Sequence, residues 1–258
     1  MVDLIRRLVV LDQNWIPREP GYSLYIRPTL IGTQASLGVG ASSDALLFVI
    51  CSPVGPYYKN GFKPVKLLAT SKNVRAWPGG TGSYKLGANY VQGVRPQFEA
   101  AEQGYDQNLW LFGEDQQLTE VGTMNLFIVI KNDNNQTEIV TPPLGDMILP
   151  GVVRDSLLNL AKDPPAWLKS QLPQDLKVTE RKITMPEVAK LSEQGRIVEA
   201  FGSGTAAIIS PIGTIGYENR DITIPVQDDG TGAIARALRH AIESIQLGKQ
   251  SHPWSIIC

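Results

Sequence analysis

One lysine follows a run of glycines in the stretch GGTGSYKLGANY, residues 79–90. An amine behind such a backbone can hold a phosphate, form a Schiff base with an aldehyde, or remain an ordinary solvated side chain. The phosphate-binding pattern GxxxxGK[ST] is not met, because Leu86 follows Lys85 where a magnesium-binding hydroxyl is needed. A Schiff-base lysine needs a desolvated amine and a rigid approach. This stretch alone leaves the Schiff-base lysine and the solvated lysine open.

A carboxylate precedes an apolar run in LTEVGTMNLF, residues 118–127. The run predicts a strand that enters the core, and a charge entering a core requires a partner. For Glu120, the protonated ring nitrogen of a bound cofactor would be such a partner.

Two further stretches offer backbone N–H groups to an anion. LPGVVR, residues 149–154, has the pattern of a helix N-terminus, and FGSGTA, residues 201–206, predicts a second turn of similar chemistry. A lysine, a carboxylate and two such turns are what pyridoxal phosphate requires for its aldehyde, its ring nitrogen and its phosphate.

The hydrophobic pattern predicts the elements that must position these groups. Strands are expected from residue 65 and over residues 22–31, 45–54, 109–112, 124–130, 137–144, 177–184 and 197–217. Helices are expected after Gly151 and over residues 4–11, 86–103, 185–195 and 231–248. Because the two kinds of element are mixed without a regular βαβ order, we favour an α+β fold over a doubly wound sheet.

Charge and hydropathy exclude several classes of partner. The chain of 258 residues has 24 basic and 25 acidic residues and a net charge of −1, which argues against nucleic acid as a partner. It contains no apolar run of about 18 residues, so we expect no membrane span. Arg6, Arg7 and Asp12 interrupt any signal-peptide core at the start of the chain.

Cysteine and histidine are scarce. Cys51 and Cys258 lie far apart in the sequence, which argues against a disulfide framework and favours a reducing compartment. With His240 and His252 as the only histidines, we expect no metal site.

Four collinear segments carry a resemblance to a known family. VRAWPGGTGSYKLGANY, LWLFGEDQQLTEVGTMNLF, TPPLGDMILPGVVRDSLL and FGSGTA together resemble the branched-chain amino acid aminotransferases, which are fold-type IV pyridoxal-phosphate enzymes. The resemblance runs from about Leu4 to the C-terminus. It implies a remainder of a small α/β domain at residues 1–60, followed by a large cofactor-binding domain with a mixed-sheet pseudo-barrel at residues 61–258. It also implies that the N-terminal part of the small domain is missing.

The resemblance assigns roles toward pyridoxal phosphate. Lys85 is expected to form the Schiff base and to carry the proton from the substrate α-carbon. Glu120 is expected to keep the ring nitrogen protonated, and Tyr90 to hydrogen-bond the phenolic oxygen. The expected phosphate contacts are the Arg75 side chain and the backbone N–H groups of Val152, Val153 and Thr205.

The resemblance also implies a substrate site. Thr123 and Ala206 are expected to receive the substrate carboxylate. The expected side-chain pocket consists of Tyr25, Arg27, Val39 and Tyr57. Without the resemblance, a tyrosine and an arginine spaced as Tyr25 and Arg27 are on a strand are more often a structural pair. An apolar wall tells related side chains apart only weakly, so this pocket is expected to accept leucine, isoleucine and valine together. Arg27 is the candidate for the γ-carboxylate of glutamate.

The implied activity is transamination between branched-chain amino acids and 2-oxoglutarate, with 2-oxo acids and glutamate as the other reactants, in a homodimer. One alternative is a non-catalytic remnant that binds the cofactor weakly or associates with a full-length partner. Another is a relative that acts on D-amino acids or as a lyase, which the sequences of the segments LYIRP and TEVGTMN disfavour. We expect a cytoplasmic or mitochondrial protein, whose targeting segment would lie in the missing N-terminus.

Overall fold

The computed structural model describes residues 1–56 and 63–258, which fall into two compact units. One unit lies within Met1–Lys59 and Pro253–Cys258, and the other within Asn60–His252. The predicted boundary between residues 60 and 61 lies outside the described residues, so the assignment of the two domains stays a prediction.

The first unit is built on one β-hairpin. Its elements are helix α1 (Val2–Leu11), a 3₁₀ helix (Gln13–Trp15), and the antiparallel strands β1 (Ser23–Gly32) and β2 (Ala45–Val54). The predicted N-terminal helix and both predicted strands are confirmed. Large apolar side chains of the hairpin remain open to solvent, with Leu30 67% and Leu46 51% exposed.

The second unit contains nine strands and six helices among the described residues. Its strands are β3 (Val65–Thr70), β4 (Gln107–Phe112), β5 (Gln117–Val121), β6 (Met124–Lys131), β7 (Thr137–Thr141), β8 (Lys177–Glu180), β9 (Ile197–Gly204), β10 (Ile208–Tyr217) and β11 (Arg220–Thr223). Its helices are α2 (Ala88–Val91), α3 (Val94–Glu102), α4 (Val152–Lys162), α5 (Ala166–Lys169), α6 (Met185–Glu193) and α7 (Ala233–Gln246). Strands and helices follow no regular βαβ order, which confirms the α+β class.

Six of these strands close into a ring. Hydrogen-bonded neighbours run from β10 through β3, β4, β5 and β6 to β9, and β9 pairs again with β10. Apolar side chains from all six strands form one cluster, which places that cluster inside the ring. The strands are parallel where β3 meets β10 and β4, and antiparallel at the other joins of the ring. This is the mixed-sheet pseudo-barrel that the resemblance implied.

A second apolar cluster lies on the outer face of β6 and β9. Phe127 and Phe201 stack across these strands with ring centroids 5.1 Å apart, and the apolar stripes of α4 and α7 cover them. Burial on both faces explains why β6 reads as an almost continuous apolar run. No helix in the described part of the chain is long and apolar enough to cross a membrane.

The sequence patterns miss four features of this unit. Strands β5 and β11 were not predicted, because each is short and carries several polar residues. Helix α5 was not predicted, because it is only four residues long. The single helix predicted over residues 86–103 is wrong, since α2 and α3 are separated at Gln92 and Gly93. Gly93 lies so close to Trp110 that an added Cβ would be 3.3 Å from its ring.

Candidate active site

Lys85 lies on the exposed loop that leads from β3 into α2. Its Nζ donates a 2.6 Å hydrogen bond to the hydroxyl oxygen of Tyr90 and lies 4.8 Å from the centre of that ring. Tyr90 is half-buried on α2, so the short helix fixes the direction of the amine. The structure therefore brings these two predicted site residues together.

The glycine-rich loop before Lys85 is held in place by its neighbours. An added Cβ on Gly82 would lie 2.4 Å from the Cβ of Ala76 and 2.6 Å from the Asp146 carbonyl oxygen, so this position requires glycine. Buried Asn89 donates 2.7 Å hydrogen bonds to the carbonyls of Thr81 and Tyr84 and accepts one of 3.0 Å from the Thr81 hydroxyl. The loop is thus a fixed structure and not a flexible tether.

Glu120 lies on β5 and is 3% exposed. Its Oε1 accepts a 2.8 Å hydrogen bond from the Leu149 backbone N–H and a 3.2 Å bond from Asn125 Nδ2. Its Oε2 lies 2.9 Å from Nε of Arg75, but this N–H does not point at the oxygen, so the contact is one of charge. Oε2 therefore keeps a lone pair available for another donor.

Arg75 is buried like Glu120, with 7% of its surface exposed, and belongs to the loop after β3. Its Nη2 donates to the Met147 carbonyl at 2.7 Å and to the Gly82 carbonyl at 3.3 Å. The guanidinium therefore links the glycine-rich loop to Glu120 and to the segment before α4.

Burial dominates the electrostatics of the carboxylate. It raises the pKa of Glu120 to about 7, while Arg75, the Leu149 N–H, Lys85 and Arg154 act in the opposite direction. The charge of Lys85 is thus close enough to act on Glu120. A further cation at Oε2 would lower this pKa and keep the carboxylate ionised at neutral pH.

The N-terminus of α4 is an open anion-binding end. The helix starts after Gly151, and no side chain among the described residues caps it. The contrast is α7, where the buried Glu199 carboxylate accepts hydrogen bonds from the N–H groups of Ile234 and Ala235 at 3.3 and 2.7 Å. In α4, Val153 is buried in the outer cluster, whereas the Val152 side chain is 66% exposed.

A row of polar residues crosses three strands beside this helix end. The strand registers place Glu120 opposite Asn125 and Asn125 opposite Ser203. Ser203 is 1% exposed, and its hydroxyl has no hydrogen-bond partner among the described residues. Three predicted site residues continue from the same strand ends on exposed turns: Thr123 between β5 and β6, and Thr205 and Ala206 between β9 and β10.

These features correspond to a known family. A family model described as amino-transferase class IV matches residues 9–215. The chain belongs to this family.

Individual relatives of this class IV chain are similar over nearly its whole length. It is 51% identical to a branched-chain-amino-acid aminotransferase of Dictyostelium discoideum, covering 100% of this chain and 66% of that protein. A mitochondrial enzyme of that name from Schizosaccharomyces pombe is 49% identical, with 99% and 59% covered. A cytosolic one from Saccharomyces cerevisiae is 51% identical, with 99% and 67% covered. The chain thus spans about two thirds or less of the length of these curated relatives.

Solved structures show the same fold. A holo-form branched-chain amino acid aminotransferase from Thermobaculum terrenum has a TM-score of 0.70 at 24% identity, covering 97% of this chain and 72% of that one. A T.th. branched-chain amino acid aminotransferase with pyridoxamine 5'-phosphate has a TM-score of 0.69 at 26% identity, covering 94% and 70%. The fold is therefore the fold-type IV architecture that the sequence indicated.

The remaining predicted residues of this class IV aminotransferase chain lie in the first unit or outside the described residues. Arg27 and Tyr25 share β1, where Arg27 Nη2 donates a 2.8 Å hydrogen bond to the tyrosine hydroxyl oxygen. The Cζ atom of Arg27 lies over the Tyr25 ring, 5.0 Å from its centre. Val39 is fully exposed in the loop between β1 and β2. Tyr57 lies outside the described residues.

Sequence reasoning missed the residues that hold the site together. Asn89 and Asn125 each make hydrogen bonds to two separate backbone groups or side chains of the site, and Ser203 faces the same row. One signal was available, because Asn125 is a polar residue in the otherwise apolar run MNLFIVI. An amide inside a strand of this kind needs buried partners.

Proposed function

We propose that this chain carries the pyridoxal-phosphate site of a branched-chain-amino-acid aminotransferase, which moves the amino group between leucine, isoleucine or valine and 2-oxoglutarate. The observation that carries the proposal is Glu120, a buried carboxylate with an available oxygen, next to the charge of Lys85 and to the uncapped α4 terminus. The names of the relatives from Dictyostelium and the two yeasts support the same activity.

The residues present fit the cofactor. An aldehyde requires a primary amine, which is Lys85, and a phenolic oxygen requires a donor, which is Tyr90, 2.6 Å from that amine. A protonated ring nitrogen requires a buried acceptor, which is Oε2 of Glu120. A phosphate requires free N–H groups, and the α4 terminus has no side-chain cap.

Pyridoxal phosphate, when bound, supplies a ring that takes up the electron pair released at the substrate α-carbon. Lys85 is the group that removes the proton from the substrate α-carbon and later returns a proton, because a neutral amine can act as a general base. The hydrogen bond with Tyr90 holds the amine in one direction while the proton moves. Glu120 remains ionised beside a cationic donor because the pairing lowers its pKa, and its burial excludes water from that contact.

The phosphate contacts remain predictions of the resemblance. Val152, Val153 and Thr205 would donate backbone N–H groups, as the open α4 terminus and the exposed turn after β9 permit. Arg75 was predicted beside the phosphate. Its observed contacts go to Glu120 and to two carbonyls, so we assign it the additional role of keeping Glu120 paired.

Substrate contacts and assembly are proposed on the same basis. Thr123 and Ala206 would receive the substrate carboxylate, and Tyr25, Arg27, Val39 and Tyr57 would line the side-chain pocket in a homodimer. A T.th. branched-chain amino acid aminotransferase complexed with N-(5'-phosphopyridoxyl)-L-glutamate supports glutamate as the second amino-group partner. Cytosolic and mitochondrial relatives make either location consistent with this function.

A reduction experiment tests the cofactor site. The purified chain is incubated with pyridoxal phosphate, reduced with borohydride and digested, and the labelled peptide is mapped. We expect the label on Lys85, and a label on another residue, or none, would contradict the site. Transfer from leucine to 2-oxoglutarate is then measured on the same preparation. Labelling without transfer would favour the non-catalytic alternative, for which the incomplete coverage of the relatives is the supporting observation.

A further inference from the structure

Asn125 occupies the middle of the polar row between Glu120 and Ser203. It is 5% exposed, and the neighbouring residues of β6 are apolar. Burying an amide in such a strand costs free energy unless its hydrogen bonds are made. The contacts of this side chain therefore show what the amide is for.

The Asn125 amide closes a small ring of hydrogen bonds around one carboxylate oxygen. Its Nδ2 donates to Oε1 of Glu120 at 3.2 Å and to the carbonyl of Leu149 at 2.8 Å. The N–H of the same Leu149 donates to Oε1 at 2.8 Å. Glu120 Oε1 is thereby occupied twice, which leaves Oε2 as the oxygen that can accept a new donor.

The same side chain also sets the path of the backbone into α4. An added Cβ on Gly151 would lie 2.2 Å from Oδ1 of Asn125, so the amide packs directly against the residue that precedes the helix. Asn125 therefore contacts both Glu120 and the segment that presents the free N–H groups of α4.

We propose that Asn125 is a positioning residue that orients Glu120 and the α4 N-terminus relative to each other, so that one cofactor can meet both. This inference rests on the proposed function, in which the ring nitrogen and the phosphate belong to the same bound molecule. Its basis is the double donation of Nδ2 and the close contact with Gly151.

Two variants separate hydrogen bonding from packing. Asn125→Leu keeps much of the volume and removes the donor, whereas Asn125→Asp keeps the shape and places a second carboxyl beside Glu120. Both should weaken binding of pyridoxal phosphate about tenfold or more, the size expected for a lost hydrogen bond to a charged group. Both should also raise the pKa of the Glu120 carboxyl, more strongly in Asn125→Asp because like charges repel.

Two quantities report on positioning and would not change if Asn125 had only a structural role: the pKa of the Glu120 carboxyl and the affinity for cofactor. The carboxyl titration is followed by ¹³C NMR of glutamate-labelled chain without cofactor, with Glu120→Gln assigning the signal. Cofactor binding is followed by the visible absorbance and its pH dependence. Thr141→Val is the matched control, since it removes a single 2.6 Å hydrogen bond from a 1% exposed side chain to the Leu126 carbonyl without touching Glu120.

The outcomes distinguish this inference from the proposed function. If either Asn125 variant titrates and binds cofactor as Thr141→Val does, the positioning role is wrong. If Asn125→Leu does not fold, Asn125→Asp decides by the same two measurements. If the unmodified chain shows no label on Lys85, the proposed function is wrong. The titration without cofactor still tests whether the hydrogen bond from Asn125 affects the pKa of Glu120.

Discussion

Arg75 and Glu120 form a buried pair in the second unit, with Nε and Oε2 2.9 Å apart and both side chains more than nine-tenths buried. The pair connects the loop that contains Lys85 with the strand that contains the carboxylate. The positive charge of Arg75 compensates the charge of Glu120. Because the Arg75 Nε–H does not point at Oε2, that oxygen can still accept a hydrogen bond from another donor. A buried charge that lost its partner would be strongly unfavourable.

Removing the arginine should therefore destabilise the chain. At pH 8, where Glu120 is ionised, we expect Arg75→Met to lower the free energy of unfolding by about 3–5 kcal/mol. The double variant Arg75→Met/Glu120→Gln should recover part of this loss, because no uncompensated charge remains. Urea denaturation of the four proteins of this cycle measures the coupling, and strictly additive effects would show that the two residues do not interact.

Stability should depend on pH through Glu120. Its pKa is raised to about 7 in the folded chain, mainly by burial, and is near 4.5 when the carboxyl is not buried. The folded state thus binds more protons than the unfolded state between these values, so stability falls as the pH rises through 7. The contribution is fully present below pH 4.5 and amounts to roughly 3 kcal/mol.

The comparison with Glu120→Gln isolates this carboxyl. The unfolding free energies of both proteins are measured between pH 5 and 8, and the difference between them should grow as the pH rises, with the variant losing less stability. Glu199, whose pKa burial also raises, is present in both proteins and cancels. Parallel pH profiles would mean that Glu120 is already ionised at pH 5.

Gly82 is expected to tolerate no side chain. An alanine Cβ would overlap Ala76 and the Asp146 carbonyl, so Gly82→Ala should lower the melting temperature and weaken cofactor attachment to Lys85. The matched control is Gly87→Ala in the same loop, where no atom lies within 4 Å of the added Cβ and φ is −55°. We expect that control to be neutral or to stabilise by about 0.4–1 kcal/mol. Equal melting temperatures for the two variants would contradict the conclusion that the loop has no room for a side chain at position 82.

The sequence was sufficient to predict the fold class and most of the helices and strands. It was not sufficient to predict the contacts that hold the site residues in place. Periodicity predicted β6 and α7 because each buries one or two apolar faces. Periodicity missed β5, because Glu120 and its polar neighbours interrupt the hydrophobic pattern of this segment. The strand is stabilised by its pairing with β4 and β6.

The same limit applies to the partners of the site residues. A carboxylate entering the core predicted a partner, and a ring nitrogen was the partner inferred. The structure adds Arg75, 45 positions earlier in the chain, and Leu149, 29 positions later. Such contacts arise only when distant segments fold together, so no local pattern of residue types reveals them. The roles of the predicted site residues toward cofactor and substrate remain predictions.

Asn89 should control how fast the cofactor attaches. Its amide makes three hydrogen bonds to Thr81 and Tyr84, which shape the loop just before Lys85, so Asn89→Ala should leave the amine in several orientations. We expect the loss of about 1–3 kcal/mol of stability and a slower rise of the cofactor absorbance after pyridoxal phosphate is added. The control is Asn159→Ala, an exposed asparagine on α4 with a single 2.9 Å bond to the Asp155 carbonyl. The rate should stay unchanged in that variant. An Asn89→Ala protein that attaches the cofactor as fast as Asn159→Ala would show that the loop needs no such brace.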